Sequence, residues 1–257
     1  MGSTMLLGAW VTRQILFLTL VQGLVFGLLA MGIVLIYRST RVINFAVGNM
    51  GLPGATLFAL MMINYEFPFW AALVACLLIG ALLGLVTEVV VVKRLFNRPR
   101  IVLLIATVGI ADFWQAIVLL AFPEVDGQQL TYPAAIGQTW RNVGGDFGAL
   151  TRFGVASDTG IQITGSDLQT IIVVPLVAIA LGLLMSRTTF GKSIGASADN
   201  PELSRLASIN PHVVSSVVWT IGGFLATLSM ILLSSGKAAT GINNLGPFTL
   251  TNALAAA

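Results

Sequence analysis

Charged residues, cysteine and histidine are all scarce in this sequence. Of its 257 residues, 9% are charged and 56% are apolar, whereas an ordinary soluble domain has roughly 25% charged residues. Cys76 is the only cysteine and His212 the only histidine, so an intrachain disulfide and an ordinary zinc site are excluded. We therefore expect no metal site and no cofactor. The net charge of +3, without clustered basic and aromatic residues, also argues against nucleic acid as a partner.

The apolar residues are grouped in long runs. About 20 apolar residues cross a bilayer as a helix, and the full-length candidates are residues 15–37, 70–92, 101–122, 168–185 and 213–235. A shorter run, 48–62, contains Gly51, Pro53 and Gly54. The first run lacks the flanks of a signal peptide. We predict an all-α polytopic membrane protein, a single transmembrane domain over 1–257 with at least six transmembrane helices.

The positions of lysine and arginine predict the orientation of these runs. If all six cross the membrane, nine of the thirteen basic residues lie on one side: Arg38, Arg41, Lys93, Arg94, Arg98, Arg100, Arg187, Lys192 and Arg205. Cytoplasmic segments carry the excess of basic residues, so this side is predicted to be cytoplasmic and the N-terminus external. Without run 48–62 the first two arginines would lie opposite the others, so this run is predicted to cross.

The glycines and the proline within the runs have two interpretations. A segment interrupted like 48–62 is tolerated at membrane depth where protein or a water-filled cavity meets its backbone, as in transporters; it is equally explained as a kinked packing helix. Two glycine pairs spaced by four residues, Gly23 with Gly27 and Gly80 with Gly84, are expected to let helices approach closely.

Two acidic residues fall inside the runs. Glu88 precedes Lys93 by five residues, so its carboxylate is expected to reach the cytoplasmic interface or a basic neighbour. Asp112 lies near the middle of its run, where an ionised carboxylate is costly unless it faces a cavity or a partner. It is predicted to line a polar path or a helix interface, and the alternative is a protonated or internally hydrogen-bonded aspartate.

The polar segment 188–212 contains Gly-Lys-Ser at 191–193, the end of a phosphate-binding P-loop. That loop needs a glycine five residues earlier, where this chain has Ser186, so direct nucleotide binding is not expected. Asp199 or Asn200 can instead cap a helix whose first turn holds Pro201 and Glu202. We predict a short amphipathic helix on the cytoplasmic surface, ending near residue 210, which couples the membrane helices to a cytoplasmic partner.

The external segment 124–167 is long and rich in glycine and polar residues, and its "GIQITG" piece could form a hairpin. Loops of this length are often functional. It is either a docking surface for an external partner or a cap over the helices.

Three segments together resemble one protein family. They are "LIYRSTRVINFAVGNMGLPGA" at 35–55, "TEVVVVKRLFNRPRIVLLIATVGIAD" at 87–112 and "SRTTFGKSIGASADNPELSRLASINP" at 186–211. The sequence resembles the permease subunits of branched-chain amino-acid ABC transporters from about residue 18 onward. It departs from the family pattern at Val47 and Asn49, where a histidine or glutamine and then an acid are common, and at Gly195, Ser204 and Ser208.

The resemblance implies a multi-pass protein of the bacterial inner membrane that is not itself an enzyme and has no catalytic residues. Its implied partners are cytoplasmic ATP-binding subunits, a second permease subunit, an external substrate-binding protein and the lipid bilayer. The ATPase-coupling residues are predicted to be Asp199, Asn200, Pro201, Glu202, Leu203, Arg205, Leu206 and Ile209. The residues predicted to line the substrate path are Asn44, Phe45, Gly48, Asn49 and Asp112.

Other functions compete with import of a branched-chain amino acid. Related permeases carry urea or short amides, and an ion-coupled secondary transporter would need paired intramembrane charges, for which only Asp112 qualifies. A membrane enzyme would need a second acid, a serine–histidine pair or a metal site at membrane depth, and the sequence has none of these. A purely structural membrane subunit predicts no nucleotide-coupled motion. Because family members continue through further helices after a run like the final "NALAAA", the chain is expected to be C-terminally truncated.

Overall fold

The structure is a computed structural model that describes residues 13–95, 98–122 and 165–234. Most of these residues are helical, and no strand occurs among them. The helices, in chain order, are α1 (Arg13–Thr40), α2 (Val47–Ile63), α3 (Phe69–Leu95), α4 (Arg100–Ala121), α5 (Gly165–Arg187), α6 (Thr189–Asp199), α7 (Pro201–Leu206) and α8 (Pro211–Ser234).

Five of these helices, α1, α3, α4, α5 and α8, are long and apolar enough to cross a membrane. Each coincides with one of the long apolar runs, so the prediction of an all-α polytopic membrane protein is confirmed. Helix α5 begins at Gly165, so the predicted external loop extends three residues too far. The proposed hairpin, apart from Gly165, and the chain after residue 234 lie outside the described residues.

Helix α2 is continuous although Pro53 lies inside it. Proline removes one backbone hydrogen bond from a helix interior, and the freed carbonyl needs a protein environment at membrane depth. Every residue from 47 to 56 is buried, so that environment is the surrounding bundle. The short interrupted run therefore forms a packing helix with 17 residues, and the burial favours the second interpretation of this segment.

Helix α8 lies at the centre of the bundle, and 67% of an apolar 18-residue stretch within it is buried. Its backbone touches both α2 and α3 through glycines. A Cβ atom on Gly51 would lie 2.4 Å from the Ala226 carbonyl oxygen, and one on Gly84 would lie 2.2 Å from the Trp219 carbonyl oxygen. The predicted close approach at Gly80 and Gly84 is confirmed, since the hydroxyl of Thr227 would lie 2.0 Å from a Cβ on Gly80.

The other predicted glycine pair, Gly23 with Gly27, does not mediate close packing. A Cβ atom on either residue would meet nothing within 4 Å, so this prediction is wrong for the described part of the chain. The reason is the position of α5, which runs beside α1 and leaves an open groove along Gly27. Helix α5 is the least enclosed of the long helices, since only 17% of its apolar 18-residue stretch is buried.

Candidate functional site

Helices α6 and α7 form a short connection between α5 and α8 at one end of the bundle, here called the α7 end. Thr188 caps α6, because its hydroxyl accepts a hydrogen bond from the Gly191 amide at 3.2 Å. A Cβ atom on Gly191 would lie 2.1 Å from the Met185 carbonyl oxygen. The glycine of the Gly-Lys-Ser tripeptide therefore permits a tight turn between α5 and α6.

Helix α6 is held against the bundle by its apolar side. Ile194 is fully buried in the core cluster that also contains Ile36 of α1 and Trp219 of α8. Sequence reasoning missed this helix, because its glycines and serines are weak helix formers. The cap at Thr188 was the one local signal for it.

Helix α7 begins with the predicted cap. The Asn200 side-chain oxygen accepts hydrogen bonds from the amides of Glu202 and Leu203, both at 3.1 Å, and Pro201 occupies the first turn. The capping prediction is confirmed. Asp199, the other capping candidate, ends α6 and forms an ion pair with Arg41 after α1.

The end of α7 differs from the prediction. The helix stops at Leu206, because Ser208 adopts a left-handed conformation with φ of 60°. The Ser208 amide bonds to the Arg205 carbonyl and the Ile209 amide to the Ser204 carbonyl, at 3.1 and 2.9 Å, as in a Schellman motif. The helix is therefore shorter than the prediction, which placed its end near residue 210. Ile209 packs against the core and does not continue the helix.

A glycine at position 208 is expected to stabilise this helix end. Left-handed backbone conformation costs a residue with a Cβ atom on the order of 1 kcal/mol, and glycine avoids the cost. We expect Ser208→Gly to slow hydrogen exchange of the Ile209 amide by about fivefold. Ser208→Ala is the control, since alanine keeps the Cβ atom and should give no such protection. Faster exchange in the glycine variant would contradict the argument.

The outward side of α7 is apolar at its centre. Leu203 and Leu206 are 61% and 83% exposed, and Glu202 and Arg205 are exposed beside them. These four residues are called the docking face below. Ser204, on the opposite side of the helix, is buried.

Polar contacts connect the docking face to the long helices. Arg205 lies next to α8, with 3.5 Å between its Nη2 atom and Nε2 of His212. The Arg41–Asp199 pair lies at the preceding turn, and both side chains are partly exposed. Exposed ion pairs contribute little energy, so the position of α7 depends mainly on its caps and on the buried side of α6.

Four residues predicted to line a substrate path lie together in the connection between α1 and α2 and in the first turn of α2. Asn44 is fully buried; its Oδ1 accepts a hydrogen bond from the Ala46 amide at 2.9 Å. Asn49 donates through Nδ2 to the Ala111 carbonyl of α4, also at 2.9 Å. Phe45 donates its amide to the Thr107 hydroxyl of α4 at 3.2 Å. Gly48 is buried in the same turn, so this cluster packs the start of α2 against α4.

Asp112 lies apart from that cluster. It follows Ala111 in α4, but its side chain is exposed on the outer side of the helix. The structure therefore brings together four of the five predicted substrate-path residues. An acid on this surface at mid-span requires a polar partner or water, because an ionised carboxylate is costly in lipid.

Glu88 is an acidic residue, interpreted from the sequence as mostly structural, whose surroundings differ from the prediction. It is 1% exposed and starts a π-helical turn, Glu88–Val92, within α3. Its Oε2 accepts a hydrogen bond from the Ser216 hydroxyl of α8 at 2.7 Å. The prediction that it reaches the interface or a basic neighbour is wrong, because the partner is a hydroxyl from a distant part of the chain. Such π-helical turns occur often at functional sites.

A comparison with protein families identifies the family to which this chain belongs. The model of the "branched-chain amino acid transport system / permease component" family matches residues 15–257. The chain belongs to this permease family. The permease is therefore a membrane component of a transport system, and the transport function inferred from the three sequence segments is confirmed at that level.

Individual relatives agree with this assignment. The permease is 27% identical over 222 residues to the high-affinity branched-chain amino acid transport permease BraD of Pseudomonas aeruginosa, covering 83% of this chain and 68% of BraD. It is 29% identical over 209 residues to the probable branched-chain amino acid permease LivH of Methanocaldococcus jannaschii, covering 80% of this chain and 61% of LivH. No solved structure matches the permease.

One relative carries a different name. The permease is 28% identical over 209 residues to the autoinducer 2 import permease LsrC of Escherichia coli, covering 81% of this chain and 52% of LsrC. Sequence identity thus does not separate the relatives named for amino acids from one named for another ligand.

Proposed function

We propose that the permease is the membrane-spanning subunit of an ABC importer for branched-chain or other hydrophobic amino acids. In this proposal it works in the bacterial inner membrane with a second permease subunit, cytoplasmic ATP-binding subunits and an external substrate-binding protein. The α7 end is cytoplasmic and the N-terminus external, because the nine basic residues named above lie on the side of the α7 end. The names of BraD and LivH support the substrate class.

The observation that carries the proposal is the docking face. Leu203 and Leu206 lie on a helix with firm caps at both ends, yet both are largely exposed. Burying one leucine side chain contributes about 2 kcal/mol, so a groove that accepts both would gain several kilocalories per mole. Glu202 and Arg205 at the rim make the helix a poor anchor for lipid and suit a protein partner.

The connections of α7 allow a movement at the docking face to reach the membrane helices. Helix α6 joins it to α5 through the tight turn at Gly191, and residues 207–210 join it to α8. Because α8 contacts α2 and α3 backbone to backbone, the part of a push on α7 that reaches α8 would move these three helices together. Alternating access driven by closure of the ATP-binding subunits would use this route.

The substrate path is proposed to open beside the Asn44–Asn49 turn. The side chains of Asn44 and Asn49 are hydrogen-bonded inside the bundle in the described state. A zwitterionic amino acid would therefore take over these amide groups and the nearby helix start when α2 and α4 separate. Asp112, which is exposed on α4, remains predicted to line a polar path or a helix interface.

The test removes the apolar centre of the docking face. Leu203→Ser with Leu206→Ser is expected to reduce co-purification of the ATP-binding subunit, and ATP-dependent leucine uptake in proteoliposomes, by more than about tenfold, because truncating central apolar anchors costs at least about 2 kcal/mol. Ala196→Ser, an exposed change on neighbouring α6, is the matched control and should leave both unchanged.

Two results would contradict the proposal at different levels. If the double variant keeps the ATP-binding subunit and normal uptake, α7 is not the docking element. If the wild-type protein purifies alone and accumulates leucine on an ion gradient without ATP, the importer assignment itself is wrong. Uptake of autoinducer 2, urea or a short amide in place of leucine would change only the substrate.

A further inference from the structure

An open groove runs between α1 and α5 on the outer surface of the bundle. Its volume is about 320 Å³. Small residues form much of its wall, and one charged residue, Arg38, lies at its α7 end; the small residues are Gly27, Ala30, Ala178 and Gly182. The rest of its described lining is apolar.

The groove is free space between the two helices. A Cβ atom on Gly27 or on Gly182 would meet nothing within 4 Å. Both residues lie inside helices long and apolar enough to cross a membrane, so the groove opens at membrane depth. An opening there with apolar walls is filled by hydrocarbon and not by water.

We propose that this groove binds one acyl chain of an anionic phospholipid, whose phosphate is held by Arg38. The dimensions agree with this ligand. Gly27 and Arg38 are separated by eleven positions of α1, or about 16 Å at 1.5 Å per residue. Half of a hydrocarbon core of about 30 Å is about 15 Å, so the groove has the length of one leaflet and ends at a cation where the headgroup begins.

The charges at the α7 end favour an anionic headgroup. Arg38 is exposed in the last turn of α1, and Arg187 is exposed in the last turn of the adjacent α5. No acidic residue belongs to the described lining of the groove. Guanidinium groups bind phosphate with paired hydrogen bonds, and a second basic residue at the same level adds attraction for net negative charge.

A transmembrane helix is a poorer occupant than a lipid chain. A helix with its side chains is about 10 Å wide, so over about 16 Å it would fill on the order of 1,200 Å³. The groove, at about 320 Å³, could therefore take only the side chains along one edge of a helix. The proposal does not depend on which substrate the permease carries or on how α7 docks.

Native mass spectrometry of the purified full chain tests the site. After delipidation, the protein is titrated with dioleoyl phosphatidylglycerol and, separately, with dioleoyl phosphatidylcholine. We expect tighter binding of phosphatidylglycerol. Arg38→Gln should weaken it about fivefold, and Arg38→Lys, which keeps the charge but not the paired hydrogen bonds, should weaken it less. Gly182→Leu should abolish the bound lipid by filling the groove, with no loss of thermal stability, because the space there is open.

Matched variants separate the groove from general effects. Gly109→Leu fills open space on α4, and Arg98→Gln removes a cation outside the groove; both should leave lipid binding unchanged. Equal binding of the two lipids, or wild-type binding in Gly182→Leu, would overturn the proposal. It would also be overturned if Gly182→Leu broke self-association of the permease and left lipid binding intact, since the occupant would then be a second copy.

Discussion

Replacing Gly84 with alanine is expected to destabilise the folded bundle by about 2 kcal/mol. The added methyl carbon would lie 2.2 Å from the Trp219 carbonyl oxygen and 3.1 Å from the Gly223 backbone. These atoms belong to the α8 backbone, which cannot rotate away as a side chain could. Helices α3 and α8 must therefore separate along their contact, and the buried side chain of Trp219 loses part of its packing.

The control for Gly84 is the same substitution in open space. Gly109 of α4 has nothing within 4 Å of the position its Cβ would take, so Gly109→Ala should stabilise the protein by about 0.5 to 1 kcal/mol through helix propensity alone. Thermal unfolding in detergent should thus shift in opposite directions for the two variants. A rise in unfolding temperature for both variants would show that the α3–α8 contact is less tight than described.

Replacing Asn49 with aspartate is expected to destabilise the bundle by about 3 kcal/mol. Asn49 donates a hydrogen bond through Nδ2 to the Ala111 carbonyl at 2.9 Å. The substitution keeps the shape of the side chain but places a carboxylate oxygen against that carbonyl oxygen. Asn49 is buried and no described cation lies against it, so the new charge is left uncompensated at the junction of α2 and α4.

The matched control uses an asparagine that accepts its hydrogen bond. The Asn210 side-chain oxygen accepts from the His212 amide at 3.1 Å at the start of α8, a role that aspartate performs equally well. Thermal unfolding should therefore be unchanged in Asn210→Asp and clearly lowered in Asn49→Asp. If Asn49→Asp were as stable as the wild type, Asn49 would face a hydrated path in solution and its bond to α4 would be dispensable.

The sequence predicts the membrane helices well because their signal is local. Each long apolar run contains its own evidence for a spanning helix, and the Asn200–Pro201 pair signals the start of α7 without reference to any other segment. Local sequence was therefore sufficient for the fold class and for the capped helix.

The misjudged features depend on partners far along the chain. Glu88 is buried because Ser216, 128 positions away, meets it from α8. Helix α6 exists because Ile194 finds a pocket formed by other helices. Gly23 and Gly80 have the same local spacing pattern, yet only Gly80 meets another helix. Side-chain spacing alone cannot distinguish these cases, since the outcome depends on which helices become neighbours.

The unequal enclosure of α5 and α8 divides the bundle into a closely packed part and one loosely packed helix. Helix α8 is in close main-chain contact with α2 and α3, so moving one of these helices alone would break that contact. Helix α5 has the groove along α1 on one side and a second gap toward α3 and α8 on the other, whose lining is apolar except for Thr220. The turn at Gly191 joins the end of α5 to α6, which leads directly into α7. If α7 transmits force as proposed, tilting α5 would disturb fewer contacts than moving α8, and the occupants of its two gaps would limit the tilt.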